Sequence, residues 1–348
     1  MASRTVSKVY VASKISQLLD VASTLLKNSV DVSSCKCDQK TVALEELELI
    51  DASISKEQLH QIPEIEFLFA DPSIIGQILS HANNKLKWAQ CTYAGLEPII
   101  QAIRKYETMP DVLISRHTDG LGQSMAEYVI GQIISRERSF PSMIKLQEKS
   151  SFDFSQLSIY RNLDAVSIGI LGLGTIGCKV AHMCKSLGMT VWATVRDERY
   201  NSGGAVNENV HAFRPLSRIN EMLENVDYFV NILPSAPQTR GLLSGDVLKA
   251  CEKKKTVFIN IGRGNIIDDE SLICALEEGW LGGAILDVFN TEPLPPSSPL
   301  WKLPGVVITP HISGCTDPNK VSKTFIKNIV LYEEGKTLIN QVDLSCDY

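Results

Sequence analysis

Gly172-Leu173-Gly174-Thr175-Ile176-Gly177 follows Val166-Ser167-Ile168-Gly169-Ile170-Leu171 without a gap and leads straight into CKVAHMCKSLG, residues 178–188. An apolar run, a cluster of glycines and a helix-like stretch read as strand, tight turn and helix. The G-x-G-x-x-G spacing alone is a weak signal, because glycines cluster by chance. Placed between a buried-type strand and a helix, it predicts a dinucleotide site rather than a ligand-free structural turn. The first glycine permits the turn and the second admits a pyrophosphate to the backbone. The third lets the helix pack on the strand, while Thr175, Ile176 and their neighbours at the helix N-terminus face the phosphates.

Working outward, apolar runs recur at 189–193, 228–233, 256–261, 283–288 and 305–309, with helical segments between most of them. This alternation predicts a doubly wound parallel sheet. Upstream, residues 8–12, 66–70 and 87–92 are short apolar runs, each followed by a helix-like stretch, which predicts a second parallel α/β unit. A chain of 348 residues agrees with two domains. Residues 122–140 read as one long helix with Met125, Val129, Ile130, Ile133 and Ile134 on its apolar side. A last helical segment is expected at 318–334.

The composition, 44% hydrophobic and 21% charged with a net charge of −6, is that of an ordinary globular protein and gives no reason to expect nucleic acid as a partner. Lys253-Lys254-Lys255, the longest like-charge run, reads as a solvated turn. No stretch is apolar enough to span a membrane. The first nineteen residues lack acidic residues and carry Arg4, Lys8 and Lys14, as organellar leaders do. Val9-Tyr10-Val11-Ala12 within them reads as a strand the fold needs, so a cytoplasmic location is the better expectation. The nine cysteines are irregularly spaced, and Cys35-Lys36-Cys37 has no second pair to complete a metal site. Reduced thiols and no metal are expected.

The residue at the end of the second strand of such a unit selects the cofactor, because an acidic side chain there holds the ribose diol of NAD. The strand here is Thr190-Val191-Trp192-Ala193-Thr194, followed by Val195 and Arg196. An uncharged residue and then an arginine suit a 2′-phosphate, so NADP is preferred over NAD. The plainer readings are that Arg196 only caps a strand end, or that Asp197 takes the acidic role.

Further motifs follow in order: Asn231-Ile232-Leu233-Pro234; Ile259-Asn260-Ile261-Gly262-Arg263-Gly264; Leu286-Asp287-Val288-Phe289-Asn290-Thr291-Glu292-Pro293; and Thr309-Pro310-His311-Ile312-Ser313-Gly314. Singly, the arginine, glutamate and histidine would be a turn, a loop and a structural residue. Together they stand at strand ends in the second half of one α/β unit, where such sheets bind ligands. With the glycine turn, this series resembles the D-isomer-specific 2-hydroxyacid dehydrogenases. Trp88-Ala89-Gln90-Cys91-Thr92-Tyr93-Ala94-Gly95, Met125-Ala126-Glu127-Tyr128 and Ser298-Pro299-Leu300-Trp301 are most similar to its glyoxylate/hydroxypyruvate reductase-like members.

The resemblance implies an oxidoreductase that moves hydride between NAD(P)H and a small 2-oxo acid to give the D-2-hydroxy acid. It implies two Rossmann-like domains, the cofactor domain (117–314) inserted into the substrate domain (1–116 and 315–348), and a homodimer in which the helix at 122–140 serves. Arg263 would grip the substrate carboxylate, His311 would exchange a proton with the carbonyl oxygen, and Glu292 would orient the imidazole. The amides of Ala94 and Gly95 would bind the substrate carboxylate from the other domain. Cofactor contacts are implied at Gly172, Gly174, Thr175, Ile176, Gly177, Arg196, Leu233, Pro234, Thr239, Ile261, Gly262, Arg263, Asp287, His311, Ser313 and Gly314.

The chain departs from the family pattern in places. Where relatives carry a tryptophan after a glutamine, it has Gln147 and then Phe152, expected to preserve the packing. Leu163-Asp164-Ala165 stands where a glycine is common, and Glu97 where an aspartate is common. Two other readings share the fold: a dinucleotide-sensing interaction protein resembling the C-terminal-binding co-repressors, and a phosphoglycerate-type dehydrogenase. The absence of an extended polar tail speaks against the first, and the little chain left after the last helix against the regulatory domain of the second.

Overall fold

The computed structural model describes residues 6–32, 47–51, 65–81, 84–118, 120–153, 155 and 157–344. Cys35 and Cys37 lie outside the described residues. The chain divides into two compact units, one made of the residues up to Gly120 together with those from Thr316 onward, the other of Leu121–Cys315.

In the first unit the elements are β1 (Lys8–Ala12), α1 (Leu18–Val32), β2 (Glu48–Asp51), β3 (Phe67–Ala70), α2 (Pro72–Leu79), β4 (Trp88–Cys91), α3 (Glu97–Ile103) and β5 (Leu113–Ser115). They form a parallel five-stranded sheet in the order β2-β1-β3-β4-β5. β3 and β4 are buried at every position, as strands covered on both faces must be.

The second unit opens with α4 (Leu121–Glu137) and α5 (Phe140–Glu148). Here the single helix expected over 122–140 is instead two helices. Pro141 would set its ring against the carbonyl of Glu137 if the helix continued, and Ser139 takes a left-handed φ of 53° at the break. There follow β6 (Ser167–Leu171), α6 (Thr175–Ser186), β7 (Thr190–Val195), α7 (Asp197–Asn201), β8 (Ala212–Pro215), α8 (Ile219–Leu223), β9 (Tyr228–Asn231), β10 (Val257–Asn260), α9 (Asp269–Glu277), β11 (Gly283–Leu286) and β12 (Val306–Ile308). Their sheet is parallel throughout, in the order β12-β11-β10-β9-β6-β7-β8. The order reverses between β6 and β9, and a crevice at the carboxyl ends of the strands there is where open sheets of this kind take ligands.

Phe229 and Phe258 stack in the core of this second unit with ring centroids 4.6 Å apart, beside Leu171, Met222 and Leu286. The segment leading to β6 is pinned by Arg161, which donates to Glu137 on α4 at 2.6 Å and to Asp227 before β9 at 2.8 Å. Phe152 does not pack as expected: its side chain is fully exposed, because the loop after α5 carries it outward instead of into the sheet.

The chain returns to the first unit as α10 (Pro318–Glu333), capped by Asp317, whose carboxylate accepts from the Asn319 N–H. Phe325 of α10 stacks on Phe69 at 4.4 Å, and Tyr332 on Trp88 at 5.6 Å. A buried polar chain runs alongside: Trp88 donates to Ser115, Ser115 to Gln90, and Asn328 of α10 also donates to Gln90, so these four interior side chains partner one another. Among the described residues no helix is long and apolar enough to cross a membrane.

Candidate active site

The glycine turn joins β6 to α6. Gly172 has φ +108°, a conformation open to glycine, and Gly174 forms the N-cap of α6. A Cβ on Gly177 would lie 2.1 Å from the carbonyl oxygen of Gly172, so only glycine allows the helix to start this close to the strand. A Cβ on Gly174 would meet nothing within 4 Å. The helix N-terminus has no side-chain cap, which leaves its first N–H groups available. An open space over an uncapped twelve-residue helix, reached by a backbone without side chains, fits a dinucleotide pyrophosphate.

Around this turn the carboxyl ends of β7, β9, β10, β11 and β12 carry the remaining expected residues of the second unit. Arg196 is exposed at the end of β7. Asp197, the other candidate there, accepts a bond from the Ser217 N–H at 3.1 Å, and Ser217, through its hydroxyl first and then that N–H, holds the carboxyl below the ordinary aspartate range. Leu233 and Pro234 begin the loop after β9, and the Thr239 hydroxyl closes that loop by donating to the Pro234 carbonyl at 2.7 Å.

Ile261, Gly262 and Arg263 follow β10. The glycines flanking Arg263 are required by close backbone: a Cβ on Gly262 would lie 2.8 Å from the Leu233 carbonyl oxygen, and one on Gly264 1.9 Å from the Phe289 carbonyl carbon. The arginine is therefore locked between the loop after β9 and the loop that carries Glu292. Two residues that sequence reasoning quoted without assigning hold this corner. Asn231 donates to Asn260 at 2.9 Å, Asn231 accepts from the Leu233 N–H, and Asn260 accepts from the Gly262 N–H. Their signal in the sequence is a lone amide at the end of each of two apolar strands.

His311 and Glu292 meet directly, with Nδ1 of the imidazole 2.8 Å from Oε2 of the carboxylate. The other oxygen, Oε1, accepts from the Phe289 N–H at 2.9 Å, which fixes the carboxylate plane. His311 is about half exposed, with 53% of its side chain accessible. The hydrogen bond to Glu292 raises the His311 pKa, helped by the charges of Glu292 and Asp287, against desolvation and the nearby Arg263. Burial works against ionised Glu292, but the His311 and Phe289 bonds outweigh it and hold its pKa below the usual value. The pair is therefore an imidazole whose protonated form is favoured by the carboxylate beside it.

Asp287, at the end of β11, is fully buried. Its carboxylate accepts from the Thr309 hydroxyl and from the Ile312 and Ser313 N–H groups, so it anchors the turn carrying His311. Gly314 closes that turn against Met125 of α4. Ala94 and Gly95 belong to the first unit, in the loop after β4, where the Ala94 carbonyl lies 3.5 Å from the Arg116 guanidinium.

Residues 130–313 match the model of the D-isomer specific 2-hydroxyacid dehydrogenase NAD binding domain. A glyoxylate/hydroxypyruvate reductase A of Escherichia fergusonii is 32% identical over 265 residues, 75% of this chain and 82% of the relative. A D-isomer specific 2-hydroxyacid dehydrogenase family protein of Aeromonas salmonicida superposes with a TM-score of 0.81 at 29% identity, covering 97% of this chain and 99% of the other. An NADPH-dependent glyoxylate/hydroxypyruvate reductase of Sinorhizobium meliloti, solved with NADP and sulfate, gives 0.77 at 26% identity, covering 98% and 100%. The glycine turn, the parallel seven-stranded sheet and the His311–Glu292 pair thus belong to an NAD(P)-dependent oxidoreductase, and this chain is a member of the D-isomer specific 2-hydroxyacid dehydrogenase family.

Proposed function

We propose that the protein reduces glyoxylate, hydroxypyruvate or a similar small 2-oxo acid to the D-2-hydroxy acid, with NADPH preferred over NADH, as a cytoplasmic homodimer. The observation that carries this reading is the 2.8 Å contact between His311 and Glu292 beside the glycine-locked Arg263. When bound, the nicotinamide cofactor supplies the hydride. Arg263 presents a planar fork of donors to the substrate carboxylate and draws charge from the adjacent carbonyl. His311 gives the proton on Nε2 to the carbonyl oxygen, and takes it back in the reverse direction. Glu292 holds the ring through Nδ1 and favours its charged, proton-donating form.

The preference for NADPH is supported by exposed Arg196 at the end of β7 and by the engagement of Asp197 with Ser217, which turns the available carboxylate to a structural task. The relatives are named as reductases and dehydrogenases, which supports an enzyme over a dinucleotide-sensing interaction protein. Free, buried Cys91, Cys184 and Cys251 suit a reducing compartment.

The test is the oxidation of NADPH and NADH against a panel of 2-oxo acids, followed at the nicotinamide absorbance, with His311→Ala as control. The expected result is turnover of glyoxylate or hydroxypyruvate with NADPH ahead of NADH, and a loss of about 10²- to 10⁴-fold in His311→Ala. Full activity in that variant would refute the mechanism, and a strong NADH preference the cofactor choice.

A further inference from the structure

We propose that Tyr128, on α4, is a positioning residue for the reaction: its hydroxyl acts through Thr309 and Asp287 to fix the turn that carries the His311 imidazole. The inference rests on the reading of His311 as the proton donor.

The turn is held from one point. Asp287 Oδ1 accepts from the Thr309 hydroxyl at 2.6 Å and from the Ile312 N–H at 2.8 Å, Oδ2 accepts from the Ser313 N–H at 2.9 Å, and the Asp287 carbonyl accepts from the His311 N–H at 2.9 Å. Such a clamp is needed because His311 has φ +55°, the left-handed region that a residue with a Cβ adopts at a cost. Without it the turn would relax and carry the ring off Glu292.

Tyr128 extends the clamp to a rigid helix. Its hydroxyl lies 2.7 Å from Oγ1 of Thr309. Thr309 has one proton, and it is spent on the Asp287 carboxylate, which has only lone pairs to offer. Thr309 must therefore accept from Tyr128, and the direction runs Tyr128 to Thr309 to Asp287. Each donor in such a chain strengthens the next. Burial pushes the Tyr128 hydroxyl above its ordinary pKa, so it stays a donor across the working range. The same helix braces the far end of the turn, since a Cβ on Gly314 would lie 3.0 Å from Met125 and 3.7 Å from Leu121. The titratable and charged groups facing His311 are Glu292, Arg263 and Asp287, and Asp287 also acts on Tyr128.

Tyr128→Phe removes one oxygen and leaves the ring in place. With NADPH and glyoxylate, kcat is expected to fall about five- to tenfold, the loss of roughly one hydrogen bond's worth of positioning. The alkaline limb of the kcat profile for reduction should move to lower pH, because a displaced imidazole loses Glu292 and with it the raised pKa. NADPH affinity should hold within about twofold. Thr309→Val should reproduce the effect and Thr309→Ser restore most of the rate, while Tyr128→Phe adds little on top of Thr309→Val.

Titration of the His311 ring by NMR without substrate reads the same shift, so the outcome is separable from a wrong choice of 2-oxo acid. Wild-type kcat and an unmoved His311 titration in Tyr128→Phe would overturn the proposal. So would additive losses in the double variant, or a lower melting temperature with the pH limb unchanged, which would mark Tyr128 as merely structural.

Discussion

The strongest influence on the titration of the His311 imidazole is its hydrogen-bonded neighbour Glu292. Glu292 is the first cause of its raised pKa, so Glu292→Gln should let that pKa fall. Reduction needs the protonated ring, and its alkaline limb should then move to lower pH, while oxidation, which needs the neutral ring, gains at the acid side. A pH profile measured in both directions checks this. An unmoved limb in both would mean that the carboxylate does not set the titration. The glycines of the turn can be separated in the same residue-by-residue way. Gly174→Ala enters open space with an ordinary φ, so the melting temperature should be unchanged while the alanine methyl weakens cofactor binding. Gly177→Ala must displace the Gly172 carbonyl and should cost about 1–3 kcal/mol of stability as well. Thermal melts and fluorescence titration with NADPH distinguish the two, and equal melting losses would contradict the assignment of open and closed sides.

At the scale of elements, the interior strands and the edge strand β12 were legible, and the other three edges were not. β3, β4, β6, β9, β10 and β11 are buried at every position and so appear as continuous apolar runs. β2, β5 and β8 lie at the sheet edges, are three or four residues long and mix polar with apolar positions, which leaves no periodic signal to read. In the candidate site, the motifs singled out Arg263, Glu292 and His311, and the structure brings Glu292 and His311 into contact. The Tyr128–Thr309 contact was not readable, because it joins residues 181 apart whose meeting depends on how α4 packs. The final helix was readable, but the reason it returns to the first unit lies in tertiary packing. Phe325 is fully buried between Phe69 and Trp88. Phe325→Ala should therefore destabilise the first unit by about 3–5 kcal/mol. NADPH binding by the second unit should persist, which chemical denaturation followed alongside cofactor titration will show. Loss of both together would mean that α10 supports the two units alike.

For the molecule as a whole, the resemblance implies a homodimer in which the helix at 122–140 serves, and within that stretch Met125, Val129, Ile130 and Ile133 of α4 are buried in the single chain. The next helix and the loop after it expose several large apolar side chains. α5 has no buried residue, and Phe140, Ile144, Phe152, Ile159 and Tyr160 are all exposed. A groove of about 460 Å³ lined by Met143, Leu146, Phe152 and Leu157 runs alongside. A short helix with no buried face draws little stability from its own chain, and in the proposed dimer the apolar side chains exposed on and after it are expected to meet the second copy. A two-fold contact places every residue of the patch in the interface twice, so one substitution acts twice. Burying a side chain such as Ile144 contributes about 1.5–3 kcal/mol, and doubling it predicts that Ile144→Asp raises the dimer dissociation constant by at least about a hundredfold. Sedimentation should give twice the 38.4 kDa chain mass for the wild type and the single-chain mass for the variant, with the melting of the second unit retained. A wild type that sediments as a monomer at micromolar concentration would leave this face without a partner copy. A variant that stays dimeric would move the contact elsewhere on the second unit.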